Sequence, residues 1–255
     1  MSELSGQPAK IALLKREEAK GDNTMAITER VSREISNPRQ MLEEKIASHE
    51  ARIAVMGLGY VGLPLSVALG KMGFSVTGID TSARQVDLVE LGKSDVQGVS
   101  EFEVADLKAV GKLTATRECD VLDEADVTLV CVSTPLNKTR DPDVSFILQA
   151  CSAIKDRLRC GQLVILESTT YPGTTQELVL PLLEESGLKV GRDFFLVFSP
   201  ERVFSGYARR FYSGTDRLVG EFKFCYRLKR VKFISKKPRP LGVVFWFMSG
   251  IFDRD

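Results

Sequence analysis

Apolar residues come in short blocks, and the segments between them repeat at helical spacing. Arg52 to Met56 and Val127 to Val132 read as strands. The second is almost continuously apolar, as expected of a strand covered on both faces. Phe74 to Ile79, Leu113 to Thr116, Leu163 to Leu166 and Phe194 to Phe198 give further strands. Helices are predicted over Tyr60 to Met72, Ser82 to Leu91, Glu101 to Val110, Val144 to Leu158 and Thr175 to Glu185. A shorter helix follows the Asn37-Pro38 start signal, with Met41, Leu42, Ile46 and Ala47 on one face, and is expected to pack beside the first strand. Strands separated by helices of this length imply right-handed crossovers. The predicted fold is α/β, a Rossmann-like doubly wound, mainly parallel sheet with helices on both faces. It is expected to occupy residues 39–220, after a mobile arm (1–38) and before a divergent basic and aromatic tail (221–255).

The first strand runs directly into Gly57-Leu-Gly-Tyr-Val-Gly62, a G-x-G-x-x-G turn opening a helix. Gly57 allows the sharp turn, Gly59 lets a pyrophosphate approach the backbone, and Gly62 lets helix and sheet pack closely. Tyr60 and Val61 lie within the same turn, at the positive end of the helix. Asp80 ends the second strand, 18 residues after Gly62, where a carboxylate accepts hydrogen bonds from ribose hydroxyls. That acid favours NAD over NADP. Arg84, one helical turn on, reads either as a contact to the ribose or pyrophosphate or as a plain surface arginine.

Composition changes this picture little. Hydrophobic residues are 44% of the 255 and charged residues 27%, ordinary for a globular protein. Lys plus Arg is 35 and Asp plus Glu 34, so overall charge gives no argument for nucleic acid or a membrane surface as partner. The basic run at Lys229 to Arg239, with aromatics interleaved, has an RNA-binding reading, set against that of an accidental tail. No apolar run reaches membrane-spanning length, and no signal peptide is recognisable. The five cysteines are scattered without C-x-x-C spacing, which suits free thiols in a reducing cytoplasm, and no metal is expected. The single histidine, His49, is expected at the surface.

Three polar loops follow later strands: Cys131-Val-Ser-Thr-Pro-Leu136, Glu167-Ser-Thr-Thr-Tyr-Pro-Gly-Thr-Thr175 and Phe198-Ser-Pro-Glu-Arg-Val-Phe-Ser-Gly206. In an open α/β sheet, ligands bind outside such strand ends. Together with Gly57-Leu-Gly-Tyr-Val-Gly-Leu-Pro-Leu65, these strings resemble the UDP-glucose/GDP-mannose dehydrogenase family over residues 40 to 206. The Tyr-Pro-Gly-Thr-Thr and Phe-Ser-Pro-Glu-Arg forms resemble its UDP-N-acetylglucosamine 6-dehydrogenase branch, which makes uronic sugars for bacterial polysaccharides.

The resemblance implies two successive NAD-dependent oxidations at C6 of a UDP-sugar, passing through a thiohemiacetal and a thioester on a cysteine. It implies NAD binding by Gly57, Gly59, Tyr60, Val61, Gly62, Asp80 and Arg84, with Thr134 beside the cofactor. Thr169 would lie near the nicotinamide and the reacting carbon. Glu201 would border substrate and nicotinamide and assist proton transfer, and Arg202, Val203 and Gly206 would touch the sugar or its phosphates. The family's long central helix, its cysteine loop and its second nucleotide-binding domain are not recognisable. Cys225, in Lys-Phe-Cys-Tyr-Arg, does not match the family's Gly-Gly-x-Cys-x-Pro-x-Asp loop. The expectation is a truncated or frame-disrupted member, not competent alone, whose partners would be a second copy or the missing C-terminal half. A non-catalytic NAD(H)-binding module is the alternative.

Overall fold

The computed structural model describes residues 37–136 and 142–199. The expected arm up to residue 36 and the expected tail at 221–255 lie outside the described residues.

Among the described residues, six parallel strands form one sheet: β1 (Arg52–Met56), β2 (Ser75–Ile79), β3 (Leu113–Thr116), β4 (Val127–Val130), β5 (Leu163–Leu166) and β6 (Phe195–Phe198), in the order β3-β2-β1-β4-β5-β6. The helices are α1 (Pro38–Ala47), α2 (Gly62–Lys71), α3 (Ala83–Glu90), α4 (Glu101–Ala109), α5 (Ser145–Lys155) and α6 (Leu180–Glu184). The order runs outward from β1 in one direction and from β4 in the other, so the winding reverses between these two strands. This is the doubly wound arrangement, with its crevice at the reversal.

Strand alternation distributes the core over two faces. Ile53, Val55, Leu163 and Ile165 point to one face and pack with Leu42 and Ile46 of α1, Leu69 of α2 and Leu107 of α4. Ala54, Met56, Val164 and Leu166 point to the other and pack with Ile147, Cys151 and Ile154 of α5 and Leu183 of α6. Because β4 and β5 are covered on both faces, all four residues of each are buried, which explains the unbroken apolar run of β5 and the run of β4 interrupted only by Thr128.

Local chemistry sets the helix ends. The Asn37 side chain accepts from Arg39 N–H, with Pro38 in the first turn of α1. Ser100 and Glu103 form a reciprocal capping box on α4. Helix α1 is also anchored to the start of β4. Asp126 Oδ1 accepts from Lys45 Nζ (2.7 Å), and Oδ2 accepts from the Arg52 backbone N–H (3.0 Å).

Two expected helices begin differently. The helix expected from Tyr60 begins at Gly62, because residues 59–61 complete the turn out of β1. The helix expected over Thr175 to Glu185 is a π-helical segment, Thr174–Val179, running into α6. Pro181 explains the wide turn: it has no N–H to give to the Glu177 carbonyl, and its ring crowds that position. His49 is exposed as expected, its ring centroid 4.9 Å from that of Phe74. Among the described residues, no helix is long and apolar enough to cross a membrane.

Two outcomes test this architecture. Asp126→Ala leaves the Arg52 N–H and Lys45 without their acceptor, and should lower stability by about 1–3 kcal/mol in urea unfolding; an unchanged midpoint contradicts the anchor. Burial pushes the Cys151 thiol up to about 12, whereas Cys160 is exposed. At pH 8 a thiol reagent should therefore label Cys160 in the native protein and Cys151 only on unfolding, as read by peptide mass spectrometry. Equal labelling would place α5 differently.

Candidate functional site

The turn after β1 sits over the β1/β4 crevice, and its three glycines do different things. Gly57 has φ +96°, a left-handed backbone that side chains disfavour, and its N–H donates to Ile79 O of β2 (2.7 Å). A Cβ there would stand 2.7 Å from the Cys131 carbonyl oxygen at the end of β4. A Cβ at Gly62 would collide with the Gly57 carbonyl oxygen and press on Cys131 Cβ. Gly57 and Gly62 therefore satisfy the fold. At Gly59, by contrast, nothing lies within 4 Å of a Cβ position. That open space leaves room for an anionic group to lie against this backbone. The N-cap residue Val61 offers no side-chain acceptor to the start of α2, an end at which helix N–H groups favour an anion. Tyr60 is 57% exposed beside it, and Val61 is half-buried.

Asp80, at the end of β2, is half-buried and fixed by two backbone donors. Leu58 N–H in the middle of the turn donates to Oδ2 (2.7 Å), and Ser82 N–H donates to Oδ1 (2.8 Å). A carboxylate has about four acceptor positions, so two remain for hydroxyl groups. The same carboxylate thus braces the turn and faces the crevice edge. Leu58 is fully buried, and its side chain fills the space where a Cβ at Gly78 of β2 would stand. Leu58 and Gly78 were not singled out from the sequence. The available signal was the glycine inside β2, since an interior strand glycine marks close approach of another group. Arg84 lies in the first turn of α3, directed to Asp95 (2.7 Å).

The polar loops after β4 and β5 emerge next to each other, because Val130 pairs with Leu166. Ser168 Oγ, which is buried, donates to Val132 O (2.7 Å) and ties the two loops together. Thr134 is half-buried in the first loop, and Thr169 is exposed in the second. Beyond Thr169 the Thr170 and Thr174 hydroxyls share a hydrogen bond (2.7 Å), and the buried Thr174 hydroxyl donates to Tyr171 O (3.0 Å), closing the loop onto the π-helical segment. The third loop leaves β6 at Ser199, whose N–H donates to Leu166 O (2.9 Å). Glu201, Arg202, Val203 and Gly206 lie outside the described residues.

Along the carboxyl edge of the sheet the order is therefore Asp80 on β2, the glycine turn on β1, Thr134 after β4 and Thr169 after β5. At about 4.8 Å between strands, these four strand ends span roughly 14 Å. One end offers a carboxylate for hydroxyls, the middle a bare backbone for an anion, and the far end a pair of threonines. That donor and acceptor set fits an extended dinucleotide.

Comparison with known proteins agrees. The sequence model of the UDP-glucose/GDP-mannose dehydrogenase family, NAD binding domain, matches residues 51–226. The UDP-N-acetyl-D-glucosamine 6-dehydrogenase of Pseudomonas aeruginosa is 38% identical over 158 residues, covering 62% of this chain and 36% of that protein. The UDP-N-acetyl-D-mannosamine dehydrogenase of Pyrococcus horikoshii is 33% identical over 170 residues, covering 66% of this chain and 40% of the relative. The crystal structure of a ternary complex of GDP-mannose dehydrogenase from Pseudomonas aeruginosa superposes with a TM-score of 0.61 at 34% identity, over 64% of this chain and 38% of that one. The chain thus spans well under half the length of these relatives. The family match takes in more than half of the chain's own residues, and the chain belongs to the UDP-glucose/GDP-mannose dehydrogenase family, whose NAD-binding domain it carries.

Proposed function

We propose that this domain supplies the cofactor half of a nucleotide-sugar 6-dehydrogenase, and that the sugar is UDP-N-acetylglucosamine, oxidised to the uronic acid. The observation that carries the proposal is the layout along one sheet edge: Asp80, the glycine turn, Thr134 and Thr169 in the spatial order of β2, β1, β4 and β5. The choice of sugar is supported by the Tyr-Pro-Gly-Thr-Thr string at 171–175 and the Phe-Ser-Pro-Glu-Arg string at 198–202. Relatives named for three different nucleotide sugars match over similar shares of the chain, so overall identity does not separate them.

NAD, when bound, accepts hydride from the sugar carbon. Each residue has its own task around it. Asp80 would take the adenosine ribose hydroxyls on the acceptor positions that Leu58 and Ser82 leave free. The backbone at Gly59, Tyr60 and Val61, with Gly57 and Gly62 shaping it, would hold the pyrophosphate. Thr134 and Thr169 would border the nicotinamide end, with Thr169 nearest the reacting carbon. Glu201 would move a proton there, and Arg202, Val203 and Gly206 would meet the sugar or its phosphates. The complete oxidation also calls for a nucleophilic cysteine in a sugar-binding site. We assign it to the assembly to which this domain contributes, not to this domain by itself.

Nicotinamide fluorescence titration tests the cofactor half. Asp80→Ala should weaken NADH binding by about 1.5–3 kcal/mol, the loss of charge-assisted hydrogen bonds plus a looser turn. Gly62→Ala should abolish saturable binding with helical content retained by circular dichroism. Unchanged affinity in both variants would remove the turn and Asp80 from the site. A spectrophotometric assay with UDP-N-acetylglucosamine and NAD tests the other half. No NADH above background is expected from the chain alone, and steady release of two NADH per sugar would refute the division of labour.

A further inference from the structure

A second carboxylate stands at the Asp80 end of the sheet. Asp95, in the loop between α3 and α4, accepts from Arg84 Nη2 on Oδ2 (2.7 Å) and from the Gln85 side-chain N–H on Oδ1 (3.2 Å). Both its oxygens are thus engaged by the first turn of the helix that begins just after Asp80. The Gln85 amide is committed to this contact. Its N–H faces Asp95, while its Oε1 is a buried acceptor with no donor among the described residues. A buried unpaired carbonyl is unfavourable, so the bond on the other side of the amide offsets a real cost.

The end of the second strand is where a dinucleotide fold separates two cofactors that differ by one phosphate on the adenosine ribose. A carboxylate there selects the free 2′-hydroxyl, whereas an arginine nearby accommodates the 2′-phosphate. This chain has both. Asp80 is held toward the crevice edge by Leu58 and Ser82, and Arg84 follows within one helical turn. With a 77% exposed side chain, Arg84 would be free to swing onto a 2′-phosphate, were it not drawn to the Asp95 carboxylate.

We propose that Asp95 is a specificity-determining residue: it neutralises Arg84 and holds it on the loop side, so that the site keeps its preference for NAD over NADP. Selectivity then rests on two carboxylates, Asp80 acting on the ribose directly and Asp95 through Arg84. The inference rests on the cofactor reading above.

The test uses Asp95→Asn and Asp95→Ser, each alone and combined with Arg84→Ala, titrated with NADH and with NADPH at low salt. Either single variant should gain NADPH affinity on the order of tenfold, the effect of one freed arginine on a phosphate, with NADH affinity changed by less than about threefold. The gain should vanish in the Arg84→Ala combinations and shrink as salt is raised. Folded Asp95 variants with an unchanged NADPH-to-NADH ratio overturn the proposal. So does an equal gain for both cofactors, or a gain that survives Arg84→Ala. Wild-type protein that binds neither cofactor overturns the cofactor reading itself, and this inference with it.

Discussion

The Gly62 backbone lies directly against the Gly57 carbonyl, with no room for a Cβ between them. The rest of the carboxyl edge depends on that approach. It brings the start of α2 down onto the β1/β4 crevice and fixes where the turn points. It places Leu58 N–H within reach of Asp80, and Leu58's side chain over Gly78. Any side chain at position 62 would lift the helix start, and the turn, the carboxylate and the open space at Gly59 would lose their mutual geometry together. Of the three fingerprint glycines, two are required by packing, and only Gly59 keeps space for a ligand.

Much of this was legible in the sequence because it is written in local patterns. Strand β4 announces itself by a run broken only by Thr128, and the glycine spacing between β1 and α2 takes its meaning from the strand before it and the acid that follows at Asp80. The contacts that were not legible join residues far apart in the chain. Nothing near Leu58 says that its N–H meets Asp80, and nothing near Arg84 says that its partner is Asp95. The helix expected over Thr175 to Glu185 takes no account of Pro181, which lies inside it and opens its first part into a π-helical turn. Asp126 reads as an ordinary acid before a strand, and becomes an anchor only once α1 folds over the same end of the sheet.

The site is divided in a way that suits its family. The cofactor end is built from rigid parts: two strand ends, one tight turn and a carboxylate held by two N–H donors. The other end of the edge is carried by loops, joined to each other through Ser168 and to the π-helical segment through Thr174. Loops on a rigid scaffold allow substrate choice to change while the cofactor site stays fixed.

The central claim is that NAD lies along the carboxyl edge from β2 to β5, with its pyrophosphate on the turn after β1. Amide NMR of the labelled protein titrated with NADH tests this directly. The account predicts saturable shifts at Leu58, Gly59, Val61 and Ser82, with smaller ones at Thr134 and Thr169, while amides at the opposite edge, such as Ala51 and Asp126, stay in place. Saturable shifts centred on that opposite edge, with Leu58 and Gly59 unmoved, would contradict it.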